Sequence, residues 1–208
     1  MSLIPKKGTV YIVDDDEAVR SSLRLLMKSV GLAVETHASA AEFLSAYNPA
    51  LPGCLVLDVR MPEISGLEVF KRLRVAGMEV PVIFLTGHGE VSMAVDAMRD
   101  GAFHFLEKPV NDQKLIDAVF AALAKDTKRR ESAGSNARVN ELVSKLTPRE
   151  REIAELIADG ASSRDVAEKL ELSVRTVEGY RSRILDKLKA DSLAQMIKTI
   201  HAARGAIH

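Results

Sequence analysis

The feature that most constrains this chain is a change of hydrophobic period repeated along residues 1–124. TVYIVD (9–14), LAVETH (32–37), CLVLDV (54–59), PVIFLTG (81–87) and AFHFLEKP (102–109) are short runs rich in apolar and β-branched residues. Between them the apolar positions switch to helical spacing. Val19, Leu23, Leu26, Met27 and Val30 mark a first helix, and Ser39 with Glu42 has the form of a capping box opening a second. Leu67, Phe70 and Leu73 mark a third helix, Val91, Val95 and Met98 a fourth, and Leu115, Val119 and Leu123 a fifth. Strands separated by helices do not pair as hairpins, so a parallel sheet covered on both faces is expected. Sheets of this kind gather ligands at the carboxyl ends of their strands. Asp14 ends the first run, Asp58 the third, Thr86 the fourth and Lys108 the fifth.

Beyond Leu123 the pattern loosens. KDTKRRESAGSNARVN is polar and charged without an apolar stripe, and reads as a joint, at least partly helical at its start. Thr147, Pro148 and Glu150 then supply an N-cap, a first helical position and an N3 acid. The helix they open buries Ile153, Leu156 and Ile157 and stops at Gly160. Ser162 with Asp165 starts another, burying Val166 and Leu170, Ser173 caps a third, and Leu193, Met196, Ile197 and Ile200 line a fourth. Short helices joined by tight turns match a helix-turn-helix. The divisions are 1–124, a linker over 125–141, and 142–208. Charge follows them: residues 1–124 carry twelve basic and sixteen acidic residues, residues 125–208 seventeen and thirteen, within a net charge of zero. A basic second half is suited to nucleic acid.

No apolar stretch approaches the ~20 residues of a membrane span, and MSLIPKKGT lacks the apolar core of an export signal. Cys54 is the single cysteine, which excludes an internal disulfide and suits a reducing compartment. No membrane association and a cytoplasmic location are expected.

Asp14, Asp15 and Asp16 follow directly on the first apolar run, with Glu17 behind them. Carboxylates ~4 Å apart repel by roughly 4 kcal/mol at an effective dielectric of about 20. Such a cluster is either left in water or given a cation. Topology favours the cation, because Asp14, Asp15 and Asp58 share one rim with Thr86 and Lys108 beside them. Carboxylates with a backbone carbonyl suit Mg²⁺, and a hydroxyl and an ammonium beside it suit a phosphoryl group, which a carboxylate can accept. Asp16 and Glu17 read as first-turn helix acids.

The second candidate lies on SVRTVEGYRSRILDKLK. At 100° per residue Ile184 and Leu188 each fall within about 20° of Val177, forming a buried stripe. Arg175, Glu178, Gly179, Ser182, Arg183 and Lys189 occupy the opposite face. A mid-helix glycine costs about 1 kcal/mol against alanine, so Gly179 on the outer face suggests close approach of something to the backbone. A DNA major groove fits, with Ser182 and Glu178 able to reach base edges and Arg183, Lys187 and Lys189 suited to phosphates. Arg181, at the margin of the stripe, reads equally well as a structural ion-pair partner.

IVDDD, LDVRMPEISG, FLTGHG and FLEKP resemble the receiver domain of bacterial two-component response regulators, and D-V-R-M-P-x-x-S-G with L-T-G-H-G resembles the FixJ subfamily. LTPREREIAELIADGASSRDVAEKLELSVRTVEGYRSRILDKL resembles the LuxR-type helix-turn-helix, departing from it at Tyr180, where histidine is more usual. The resemblance implies a flavodoxin-like doubly wound (βα)5 receiver with strand order 2-1-3-4-5, followed by a smaller all-α domain. It implies that Asp58 accepts phosphoryl from a sensor histidine kinase. Asp15, Asp58 and the backbone oxygen of Arg60 would hold Mg²⁺, with Asp14 acting through water. Lys108 and Thr86 would bind phosphoryl oxygens, Phe105 would turn inward as Thr86 moves, and Pro109 would follow a cis bond. A transcription factor rather than an enzyme is expected. Phosphorylation would either expose a homodimer face on the receiver around Val91–Asp100 and Phe103–Lys108, so that two half-sites of promoter DNA are bound together, or unmask the DNA-binding helix. Two other readings compete: an aspartate-dependent phosphohydrolase, for which no insertion is long enough to form a cap, and a receiver whose second module binds protein or RNA.

Overall fold

The computed structural model describes residues 8–87 and 96–205. The chain divides into two compact units, Met1–Arg130 and Glu131–His208. In the first, β1 (Thr9–Val13), β2 (Ala33–His37), β3 (Gly53–Asp58), β4 (Val82–Thr86) and β5 (His104–Glu107) form one sheet in the order β2-β1-β3-β4-β5. Every neighbouring pair is parallel. The helices α1 (Glu17–Ser29), α2 (Ala40–Ala46), α3 (Gly66–Val75) and α4 (Asp112–Ser144) alternate with the strands. Residues 96–99 are also helical, and Met98 of the expected fourth helix is half exposed, while Val91 and Val95 lie outside the described residues.

The period of two along the strands sorts the core into two layers. Val10 and Ile12 pack with Val56, Ile83 and Leu85 against Leu23 and Met27 of α1 and Leu115 and Val119 of α4. Tyr11 and Val13 face the other way, with Leu55, Leu57 and Phe84, onto Phe43 of α2 and Phe70 of α3. β3, buried at all of its positions, reads as an unbroken apolar run for that reason. The caps follow the sequence with one variation. Ser39 accepts the Glu42 N–H at 3.2 Å, but the Glu42 carboxylate reaches past Ser39 to the Ala38 N–H at 2.8 Å.

In the second unit α5 (Pro148–Ala158), α6 (Ser163–Lys169), α7 (Val174–Leu188) and α8 (Leu193–Gly205) enclose their own core of Ile153, Ile157, Val166, Val177, Ile184, Leu188, Met196 and Ile200. Thr147 with Glu150 and Ser162 with Asp165 form reciprocal capping boxes, and Ser173 caps α7.

The stretch that lacks an apolar stripe is helical throughout, since α4 runs unbroken over Asp112–Ser144. Residues 131–138 are exposed on every face, so amphipathic periodicity could not register there. The helix is anchored just before them. Asp126, fully buried, accepts from Arg129 Nη2 at 2.7 Å, Arg130 Nε at 2.6 Å and the backbone N–H of Gly53 at 3.0 Å.

Candidate functional site

Register builds the first site. Val13 is paired with Leu57 across β1 and β3, so the next residues, Asp14 and Asp58, leave the sheet side by side. Asp14 is 1% and Asp58 7% exposed, while Asp15 is exposed. One carboxylate oxygen from each of the three lies within 4.8 Å of the others. Lys108, just past β5, crosses to both buried acids: Nζ lies 2.9 Å from Asp14 Oδ2 and 3.1 Å from Asp58 Oδ1. The Lys108 N–H donates to the Thr86 carbonyl at 2.6 Å, and the peptide between Lys108 and Pro109 is cis.

Burial raises the Asp58 carboxyl above its usual range; the Lys108 ammonium draws it down and the neighbouring Asp14 charge pushes it up again. Burial also works against the charged form of Lys108, but the hydrogen bonds and charges of Asp14 and Asp58 together outweigh it and leave that ammonium harder to deprotonate than usual. Counted formally, three carboxylates and one ammonium carry two negative charges, which match a divalent cation. The hard oxygen donors suit one of the Mg²⁺ class, which takes one or two carboxylates and keeps several waters.

Thr86 is buried, its hydroxyl donating to the Gly87 carbonyl at 3.1 Å. The half-buried Phe105 ring lies 5.5 Å from that of Phe84. Arg60 is exposed, and its backbone hydrogen-bonds Asp58. Asp16 stands apart from the cluster as the N-cap of α1, accepting the Ala18 N–H at 2.8 Å.

Gly66 gained its role only in three dimensions. A Cβ there would collide with the Asp58 carbonyl oxygen, so glycine lets the start of α3 close onto the strand end that carries Asp58. The Ser-Gly pair at 65–66 was the available signal, since Ser65 is the N-cap of α3.

The second site is the exposed face of α7. Val177 and Ile184 are fully buried and Leu188 nearly so, which turns Arg175, Glu178, Gly179, Ser182 and Arg183 outward, while the exposed Lys189 is the left-handed C-cap just past the helix. A Cβ on Gly179 would meet nothing within 4 Å, so packing within the unit does not demand the glycine. The Arg183 guanidinium lies over the half-buried Tyr180 ring, 4.4 Å from its centroid. Glu178 Oε1 accepts from Arg181 at 2.7 Å, an ion pair within α7, and from Ser163 Oγ at 2.6 Å, a hydrogen bond that ties α7 to α6. Lys187 departs from the outward group. Its Nζ sits 2.6 Å from the buried Glu150 Oε2, which also accepts the Thr147 N–H at 2.7 Å. The hydrogen bond from Lys187 holds the Glu150 carboxyl down to about 2. Nothing in the spacing of Glu150 and Lys187 announces that pair, because the two are 37 positions apart.

A parallel sheet of order 2-1-3-4-5 with an acidic strand-end cluster, joined to a helical unit with one polar outer face, defines the class. Residues 10–120 match the response regulator receiver domain family and residues 144–200 the luxR family of bacterial regulatory proteins. The chain belongs to the two-component response regulators, with a receiver domain and a LuxR-type DNA-binding domain, and is a transcriptional regulator. It is 44% identical over 195 residues to the transcriptional regulatory protein FixJ of Azorhizobium caulinodans, covering 94% of this chain and 92% of that one. Nodulation protein W of Bradyrhizobium diazoefficiens is 44% identical over 192 residues, covering 92% and 85%. The response regulator StyR is similar in structure, with a TM-score of 0.85 at 38% identity over 94% of this chain and 98% of that one. The phosphohydrolase alternative gives way to this assignment. Among the described residues no helix is long and apolar enough to cross a membrane.

Proposed function

We propose that Asp58 is the phosphoacceptor, that a sensor histidine kinase is the donor, and that phosphorylation controls promoter binding through the second unit. The carrying observation is the Lys108 ammonium bridging Asp14 and Asp58 at 2.9 and 3.1 Å, where an incoming phosphoryl group would need positive charge. The Asp58 carboxylate attacks phosphorus on the phosphohistidine; the O–P bond forms as the N–P bond breaks, and the imidazole leaves, taking a proton from water. Burial makes that carboxylate more basic than an ordinary aspartate, which favours attack. Asp14, Asp15, Asp58 and the backbone oxygen of Arg60 would hold Mg²⁺, which when bound neutralises charge on the phosphoryl oxygens. Lys108 and the Thr86 hydroxyl bind those oxygens, and Phe105 follows Thr86 inward, shifting the receiver between populations.

Receiver 1–124, linker 125–141 and DNA-binding domain 142–208 are the proposed functional divisions. A homodimer through residues 91–100 and 103–108, of which 91–95 lie outside the described residues, would place two DNA-binding domains on paired half-sites and gain affinity by effective concentration. Arg175, Gly179, Ser182, Arg183 and Lys189 are the proposed DNA contacts, with Glu178 able to accept from a base despite its ion pair. Lys187 is left out because its ammonium is committed to Glu150. The test is intact-protein mass after incubation with a small phosphodonor, with and without Mg²⁺. Uptake of one phosphoryl group by wild type with Mg²⁺, and none by Asp58→Asn, is expected. Equal uptake by both proteins would overturn the assignment.

A further inference from the structure

The acidic loop has a partner outside the strand ends. Arg20 lies one turn into α1, and its Nη1 donates to two successive carbonyl oxygens, Asp14 at 2.8 Å and Asp15 at 2.9 Å. A terminal guanidinium nitrogen carries two hydrogens, so one atom serves both acceptors. The loop is tied twice more: the Asp16 N–H donates to Asp14 Oδ1 at 2.9 Å, and the Asp16 side chain caps α1. Asp14 is further held by Lys108, whereas among the described residues no side chain or backbone group bonds the Asp15 carboxylate. Yet an Asp15 oxygen lies within 4.8 Å of those of Asp14 and Asp58. What aims it is therefore the backbone on either side, and Arg20 is the side chain that pins that backbone.

We propose that Arg20 is a positioning residue for the divalent-cation site: its clamp on the Asp14 and Asp15 carbonyls fixes the peptide that directs Asp15 toward Asp14 and Asp58. This rests on the cluster being a cation site, and the experiment separates failure of one from failure of the other. Electrostatics supplies the discriminating sign. A guanidinium beside the cluster repels a cation, so loss of its charge alone would tighten cation binding. Loss of the clamp loosens a ligand and weakens it.

The experiment titrates the unphosphorylated full chain with Mg²⁺ alone by calorimetry, in wild type, Arg20→Met and Arg20→Lys, with circular dichroism to verify folding. Methionine is a good helix former at this half-exposed position. Binding about tenfold weaker in Arg20→Met is expected, on the scale of residues that orient metal ligands. Arg20→Lys should recover at least part of the loss, because an ammonium can still bridge two carbonyls. If the methionine variant does not fold, Arg20→Gln, neutral and too short to reach both carbonyls, takes its place with the same expectation. Unchanged or tighter binding in the neutral variant overturns the proposal, as does a folded lysine variant no better than methionine. Absence of Mg²⁺ binding by wild type would overturn the cation-site reading, and this proposal with it.

Discussion

The strand-end cluster and the face of α7 are built in opposite ways. At the cluster each buried charge is gripped: Asp14 by Lys108 and by the Asp16 N–H, Asp58 by Lys108 and the Arg60 backbone. On α7 Arg175 and Ser182 are exposed, as is Lys189 just past its end, and Arg183 lies over the Tyr180 ring and donates to the Gly179 carbonyl of its own helix. Under the proposed function the difference follows from what each would bind. Transfer of a small, highly charged group needs donors fixed in advance, because reorganising them would add to the barrier. A polyanionic backbone is met by exposed cations whose contacts set position. Order belongs to the scaffold in the second site and to the ligands themselves in the first.

The largest test of this contrast removes the cation from the gripped site. Lys108→Met leaves two buried carboxylates facing each other and should lower the stability of the first unit by about 2 kcal/mol at neutral pH, less than for a fully buried pair because the lysine side chain is 30% exposed. Denaturant unfolding checks this. The deficit should shrink as pH falls, because burial already raises the Asp58 carboxyl and the penalty of leaving it uncompensated disappears once it is protonated. Adding Asp58→Asn should recover part of it.

A smaller effect is expected beneath the exposed face. Glu150→Gln breaks the pair with Lys187 and should cost about 1–2 kcal/mol at pH 7. The Glu150 carboxyl is depressed in the folded state to about 2, so its contribution is complete above the ordinary glutamate range and fades as pH falls from about 4.5 toward 2. Wild type should therefore lose stability across that window faster than the variant in urea titrations. Parallel curves would show that the pair is no more than surface ornament.

Gly179→Ala sharpens the contrast with the least energy. Nothing in the unit opposes the added methyl, so the second unit should gain about 0.5–1 kcal/mol. Affinity for a selected DNA duplex should fall at the same time, with the slope against salt unchanged because no charge is altered. Higher stability with undiminished DNA binding would remove Gly179 from the interface.

Much of this was legible because it depends on near neighbours. Thr147, Ser162 and Ser173 cap the helices they precede, since a cap is made within three residues. The polar joint was the misleading stretch. A helix exposed on all sides leaves no apolar period, and the usable signal was the spacing of Asp126 to Arg129 and Arg130, three and four residues on. The Lys187–Glu150 pair was illegible for a different reason, since the two residues lie 37 positions apart.

What the sequence determined alone was the alternation of strand and helix, the two layers of core side chains, and the ends of strands at which Asp14, Asp58, Thr86 and Lys108 would stand. Each follows from local period and capping. The tertiary structure decided which charges meet. It brought Lys108 to Asp14 across 94 positions, Asp126 to Gly53 across 73, and Lys187 to Glu150. A helix or strand is specified by residues a few places apart, whereas an ion pair between elements depends on register and packing, which exist only once the sheet and the bundle have closed.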